Sequence, residues 1–432
     1  MRYLQKICGI LGIISFIISA WILPHSAGAT PNKTLPEDKT MALGVEPKQA
    51  ESEPVIRVGL ATGQEAAVFS SPGDYVVRDG TSGQGLEKLD GNTQLTVTMS
   101  GRQFVLNGKP VSAKTLVIKT PNPRSAFILS YNGANYRGDF SLIIDGGAIT
   151  VINNIKLDDY VAGVLGAEMG SDWPPQALRA QAVAARTFAL YSLGRHEKDG
   201  FDVCNDTHCQ VYGGIGAESK AALTAVSATR GEVMMYAGKP IYAAFHASAG
   251  GWTAGNEEVG GDPVPYLKPV QDKATYAAAY HWQLTFSPTE VRAALCEYGF
   301  DIGNLKRVEL SPLDEERRAE TPDRYRSGRV RRVRFVGTLR TVDIPGPKLR
   351  WMFGLPGTRF DVRYKNGSTD GPNRNGKIEF KGKSSEALLF DGWGRGHGLG
   401  LSQWGACAMA AKNDYRTILH HYYTNIEIIK LY

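Results

Sequence analysis

Between Val55 and about Lys156 the chain is written in short apolar runs: VIRVGL, AAVF, DYVV, QLTVTM, QFVL, TLVIK, AFILSY, SLIID and AITVI. Each is four to six residues long and rich in β-branched or aromatic side chains, which suits strands and is too short for a helix. Asn107-Gly108, Asn132-Gly133 and Asp145-Gly146 fall between runs. Such dipeptides accept the positive φ of tight hairpin turns. This region, residues 54–156, is therefore expected to be β-rich.

At Asp158 the periodicity changes. DDYVAGVLGAEMG reads as a short helix closed by Gly170, with Tyr160, Val164 and Ala167 on one face. SDWPPQALRAQAVAARTFALYSLG follows: Asp172 or Trp173 is placed to cap a second helix, Pro174 or Pro175 to occupy its first turn, and Gly194 to end it. Its face of Leu178, Ala182, Ala185 and Ala189 is mostly small, so a partner can pack close. A third helix is expected over Ser219–Thr229, stopping at Gly231, and then strands EVMMY and IYAAFHA joined by a turn at Gly238-Lys239. Ser287-Pro288-Thr289-Glu290 is a capping box for a fourth helix. The segment RYRSGRVRRVR (Arg324–Arg334) returns to β, and one or two final helices lie between Leu401 and Tyr423, with Asp414 placed as a cap between them. No internal repeat is present. The expected class is α+β, an early β-rich part and a mixed part around a helical centre.

The first 29 residues carry Arg2 and Lys6, an apolar run from Ile7 to Leu23, and the small residues Ser26-Ala27-Gly28-Ala29. This is the pattern of a secretory signal peptide cleaved after Ala29. The run is also near the length of an uncleaved membrane anchor. Either reading takes the rest of the chain out of the cytosol, to the periplasm or cell wall, and contact with a membrane is expected only through this segment. Residues 30–53 are polar and proline-bearing, as in a flexible linker. Net charge is +6, or +4 without Arg2 and Lys6. The surplus gathers at Arg324–Arg334, where it can favour anionic wall polymers, but Val333 and Phe335 alternate with Arg332 and Arg334 as in a strand with one wet face. No aromatic-and-basic module points to nucleic acid.

Four segments carry chemistry. Glu168 ends an apolar helix near Met169 and Trp173; a carboxyl in such surroundings keeps its proton to higher pH, as a general acid on a glycosidic bond must. A Glu bonded to backbone or facing water is the competing reading. In HEKDGFDVCNDTHCQVY, Cys204, His208 and Cys209 lie close together with His196 upstream, a donor set for tetrahedral zinc, whereas an oxidising compartment would equally suit a Cys204–Cys209 disulfide. In FHASAGGWT, His246 and Ser248 are too near in sequence for a Ser-His hydrolase pair and are better read as lining a polar groove. GWGRGHGLGLSQWGA (residues 392–406) sets six glycines around His397, with Ser402 and Gln403 at a helix start and Trp393 and Trp404 offering flat faces to sugar rings. It lacks the strand-turn-helix setting and partners of a phosphate-binding loop.

In this order AEMGSDWPPQALRAQAVAARTFAL, HCQVYGG, FHASAGG and GRGHGLGLSQWGA resemble the sporulation stage II protein D/amidase-enhancer (SpoIID/LytB) family over about residues 54–431. The resemblance implies a SpoIID-like catalytic or glycan-binding core over residues 157–432. It implies action on peptidoglycan, either as a lytic transglycosylase on glycan strands stripped of stem peptides or as an enhancer of cell-wall amidases. Glu168 matches the family's proposed catalytic glutamate in an E-x-x-x-x-W-P context. Cys204, His208 and Cys209 match a cluster that holds zinc in some members, with His196 as fourth ligand; with four protein ligands the zinc would be structural. His246, Ser248, His397, Ser402 and Gln403 fall in blocks expected to face the glycan. The long β-rich region and the arginine-rich insert are less typical of the family.

Overall fold

The computed structural model describes residues 52–120, 128–272, 280–313, 320–366, 369–371 and 375–432. The expected signal peptide and nearly all of the expected linker lie outside them. The class is α+β, with a β-rich N-terminal part. No helix among the described residues is long and apolar enough to cross a membrane.

The early β runs form two sheets. One has seven strands in the order Val203–Cys204, Val55–Gln64, Ala148–Lys156, Asp139–Asp145, Thr115–Lys119, Tyr75–Asp79 and Gly85–Leu89. The other has six, from Ala134–Tyr136 through Leu129–Tyr131, Ala66–Ser70, Leu95–Ser100 and Gln103–Leu106 to Lys109–Val111. Asn107 and Gly108 have φ of 47° and 84°, and Asn132 and Gly133 repeat those values, so both Asn-Gly pairs make the expected hairpins. Phe69, Val97, Phe140, Leu142 and Val151 are fully buried. Fully burying each such side chain contributes roughly 1.5–3 kcal/mol.

Two helices follow, α1 (Leu157–Glu168) and α2 (Pro175–Tyr191). The small face of α2 is buried as expected: Ala182, Ala185 and Ala189 are wholly inaccessible and Leu178 nearly so. Tyr160 and Val164 of α1 are buried, but Ala167 is exposed, because the last turn of α1 runs past the edge of the core. Neither Asp172 nor Trp173 caps α2; Pro174 occupies the cap position and Pro175, which has no N–H to satisfy, starts the helix. α3 (Lys220–Ala228) is capped by Ser219, whose side chain accepts from the Ala222 N–H. These helices and both sheets contribute to one continuous core. Arg186 of α2 is fully buried and binds Asp158 of α1 through its Nε, 2.7 Å from Oδ1, while Nη1 donates to the Glu232 carbonyl.

Glu232–Tyr236 is a strand, with the turn at Ala237-Gly238 and a two-residue return strand at Lys239–Pro240, but Ile241–Ala244 belongs to no strand, and strand structure resumes at Phe245–His246. Residues 281–393 then build a second core of their own. It packs two four-stranded sheets with α4 (Pro288–Glu297) and α5 (Gly346–Met352). The capping box at α4 is complete: Ser287 Oγ accepts from the Glu290 N–H, and the Glu290 carboxylate accepts from the Ser287 N–H. In strand Arg332–Gly337, Val333 and Phe335 are buried and Arg332 and Arg334 exposed, as the alternation requires. Two other arginines of the run are spent inside, Arg324 and Arg329 being almost fully buried, whereas Arg326 is exposed and Arg331 half-buried. The chain returns to the first core through α6 (Gln403–Met409) and α7 (Tyr415–Tyr422), the latter capped by Asp414.

Candidate active site

Glu168 is the last residue of α1 and is half-buried. Its Oε1 accepts from the Val211 N–H at 3.2 Å, and its Oε2 from the Gln403 side-chain amide at 3.3 Å. Burial raises its pKa above the ordinary carboxylate value, and the hydrogen bonds from Val211 and Gln403 oppose that rise without cancelling it. The two donors come from HCQVYGG and GRGHGLGLSQWGA, segments far apart in the chain.

Three aromatic rings cluster about the residue next to Gln403 in the chain. Trp404 follows Gln403 and lies 4.8 Å from Trp173, centroid to centroid. The Trp404 indole N–H donates to the Tyr280 hydroxyl, and those rings are 5.8 Å apart. Tyr280 has no signal in the sequence that ties it to this site; it immediately precedes strand His281–Phe286.

The two histidines are organised by one backbone unit. His246 Nδ1 donates to the Leu399 carbonyl at 3.0 Å, and the Leu399 N–H donates to His397 Nδ1 at 3.0 Å. This fixes opposite tautomers on rings 5.5 Å apart. Burial, with Arg350 and Arg329 nearby, lowers the His397 pKa to about 4. Burial likewise holds His246 well below its usual value. Both imidazoles are therefore neutral at pH 7. Strand Phe245–His246 runs parallel to Leu401–Ser402, with His246 opposite Ser402, so the pair sits one residue from Gln403.

The glycines of the block answer to close packing. A Cβ on Gly398 would stand 2.4 Å from the Arg329 guanidinium, and one on Gly396 would stand 2.8 Å from the His246 Cβ. Their φ angles, 91° and 109°, also suit glycine alone. Arg329 in turn donates to the carbonyls of Ala249 and Trp252 at 3.0 and 3.2 Å, and Arg359 to that of Gly250 at 2.6 Å. The second core thus holds FHASAGGWT by its backbone, a role for arginines that charge counting misses.

Of the sequence-derived residues, Gln403 meets Glu168 directly. His246 pairs through its backbone with Ser402, the residue before Gln403, and His397 packs 5.5 Å from His246; no hydrogen bond joins either histidine to Glu168 among the described residues. Ser402 is fully buried; its hydroxyl accepts from the Gly405 and Ala249 N–H groups at 3.2 and 3.3 Å, fixing the start of α6 to the neighbouring strand. Ser248 is also buried and pairs through its backbone with Arg395. Both serines build the frame of the site.

His196, Cys204, His208 and Cys209 converge, with their donor atoms all within 4.8 Å of one another. Cys209 Sγ lies 3.5 Å from His196 Nε2 and 3.7 Å from His208 Nδ1, and Cys204 Sγ lies 3.6 Å from His208 Nδ1. Zinc bonds of about 2.3 Å to sulfur and 2.0–2.1 Å to nitrogen give a tetrahedral S···N edge of about 3.6 Å, so the residues fit the ion. Asp199 stands 3.0 Å from His196 Nδ1, the usual outer partner of a metal-bound imidazole. Cys204 and Cys209 are free thiols here. Hydrogen bonding between them lowers Cys209 to about 7 and raises Cys204. Cys209 is two residues from Val211, so this cluster anchors the loop that supplies a donor to Glu168.

Comparison with known proteins identifies the family. A family model described as stage II sporulation protein matches residues 145–236, which span α1, α2 and the cysteine-histidine loop. The chain is 33% identical over 300 residues to an uncharacterized protein of Brachyspira hyodysenteriae, covering 69% of this chain and 73% of that one. It is 31% identical over 300 residues to the stage II sporulation protein D of Bacillus amyloliquefaciens, covering 64% and 75%. It is 31% identical over 376 residues to the amidase enhancer of Bacillus subtilis, covering 77% of this chain but only 49% of that longer protein. On this similarity, and on the motifs assembled around Glu168, the chain belongs to the SpoIID/LytB family, whose members named here point to a role at the bacterial cell wall.

Proposed function

We propose that the protein is a peptidoglycan lytic transglycosylase that cleaves the linkage from N-acetylmuramic acid to N-acetylglucosamine in peptide-stripped glycan strands. The observation that carries this reading is the half-buried carboxyl of Glu168, with its raised pKa, held between donors from two separate motifs. Protonated Glu168 donates to the bridging oxygen, and the C1–O bond breaks as the leaving sugar takes that proton. The muramic N-acetyl group stabilises the charge left at C1. The Glu168 carboxylate then removes the proton of the C6 hydroxyl, whose oxygen bonds C1 and closes a 1,6-anhydro ring. One carboxyl acting as acid and then base needs no second carboxylate and no water. Gln403 and the Val211 N–H orient it, half-buried His397 faces the glycan, and buried His246, Ser248 and Ser402 hold the backbone that presents it. Trp173, Trp404 and Tyr280 supply flat faces for sugar rings.

In the same reading, zinc bound by His196, Cys204, His208 and Cys209 is structural, since four protein ligands leave no position for water. The protein works outside the cytoplasm, directed or anchored by residues 1–29 and joined to them by the linker. The β-rich region 54–156 and the core 157–432 are its two functional parts. Digestion of stripped strands with wild type and Glu168→Gln tests the assignment: anhydro-ended fragments are expected from wild type, and undiminished cleavage by the variant would remove Glu168 from the role.

A second reading rests on the similarity to a protein named amidase enhancer. There the same groove binds glycan without cutting it and stimulates a partner cell-wall amidase. Strand binding without new ends, together with faster turnover of an added amidase, would favour it; cleavage by the purified protein would exclude it.

A further inference from the structure

A cleft of about 550 Å³ opens between the start of α2 and the start of α3, and Trp173 forms part of its wall. That volume is typical of a small-molecule site. Two cations line it, Arg179 from α2 and Lys220 from α3, with the hydroxyl-bearing Ser171, Ser219 and Thr224 around them. The Nε of Arg179 is buried and has no hydrogen-bond partner. Neither Arg179 nor Lys220 joins an ion pair or a side-chain hydrogen bond among the described residues. Arg179 is half-buried, with its Nε shielded and unpartnered, and the planar donor array of a guanidinium matches a carboxylate. Trp173 of the cleft wall also packs on Trp404, 4.8 Å between centroids, and Trp404 follows the Gln403 that donates to Glu168, while Ser171 of the lining is three residues from Glu168.

We propose that this cleft is a carboxylate subsite in which Arg179 and Lys220 bind the free lactyl carboxylate of a muramic acid residue. The inference rests on the glycan reading above and deepens it. A stem peptide converts that carboxylate into an amide, which removes the charge and adds bulk in a cleft of this size. Arg179 and Lys220 thus make the site selective for stripped strands. The more distant carboxylates of a stem peptide are the other source of the same chemistry.

Binding to the Glu168→Gln protein by calorimetry separates these cases, with four glycans of equal length: stripped strands, stripped strands with amidated lactyl groups, peptide-bearing strands, and chitin oligosaccharides. Stripped strands are expected to bind at least about tenfold tighter than amidated strands, the loss of one charge-assisted bidentate contact. Arg179→Gln and, independently, the exposed Lys220→Gln should shrink that preference while binding of chitin oligosaccharides stays unchanged. Equal affinity for stripped and amidated strands overturns the subsite and leaves the glycan reading standing. Tightest binding of peptide-bearing strands overturns it in favour of the peptide carboxylates. Binding of none of the four overturns the subsite and the glycan reading together.

Discussion

The side-chain amide of Gln403 lies 3.3 Å from the carboxylate of Glu168, across a separation of 235 residues. That contact closes the end of α1 onto the glycine-histidine block and makes one site from two distant motifs. Gln403 donates to the ionised form of Glu168 and so restrains the rise in pKa that burial causes. Gln403→Ala is therefore expected to move the alkaline limb of the pH–rate profile upward while lowering kcat by about tenfold through lost positioning. A fall in kcat with an unmoved profile would mean that Gln403 does not act through the Glu168 proton.

Loss of metal should travel to the same carboxyl. Cys209 and Val211 share one loop, and the Val211 N–H is the other donor to Glu168. Protein made with zinc is expected to hold one ion per chain by elemental analysis, and Cys204→Ser to lose it, to melt lower and to lose activity in parallel. A metal-free wild type whose mass is two protons lighter would replace the ion with a Cys204–Cys209 disulfide.

The buried pair Arg186–Asp158 is a structural tie between α1 and α2. Removing one partner of a fully buried pair costs about 3–5 kcal/mol; here Asp158 is partly exposed and keeps Arg230 at 3.9 Å, so the loss should fall below that range. Arg186→Gln should lower the melting temperature accordingly, with no change in the pH profile of whatever activity remains. A shift in that profile would place Arg186 in the chemistry of the site instead.

Glu258 gives a pH dependence of known sign. Burial raises its pKa from 4.5 to about 7, against hydrogen bonding from Ser327 and attraction from Arg329. The folded state therefore holds this proton more tightly than the unfolded state. The associated stability is fully present below about 4.5 and is lost as pH rises through about 7. Glu258→Gln should flatten that part of the stability curve and leave the protein roughly 1–3 kcal/mol more stable than wild type at pH 8. A variant curve parallel to that of wild type would contradict the assignment.

Much of the fold could be read from local chemistry. The Asn-Gly hairpins, the small face of α2, the Ser287 capping box and the Asp414 cap each depend on a few neighbouring residues, and the structure contains all of them. Ala167 and the segment Ile241–Ala244 depart from the local pattern because tertiary packing decides them: one lies beyond the edge of the core, the other is mostly buried and belongs to no strand. The cysteine-histidine cluster and Gln403 were legible as side chains in motifs. The donor from Val211 was not, since a backbone N–H leaves no mark in composition. Tyr280, Arg329 and Arg359 reach the site from the second core, a long-range placement that no local pattern encodes.

The central claim is that Glu168 transfers a proton to the bridging oxygen and then takes one from the C6 hydroxyl, with no water added. Mass analysis of fragments released from stripped strands in ¹⁸O-labelled water tests it most directly. Fragment ends are expected at the mass of 1,6-anhydro-N-acetylmuramic acid, free of ¹⁸O, with none from Glu168→Gln. Fragments carrying ¹⁸O at a reducing end, or anhydro ends formed undiminished by Glu168→Gln, would contradict it.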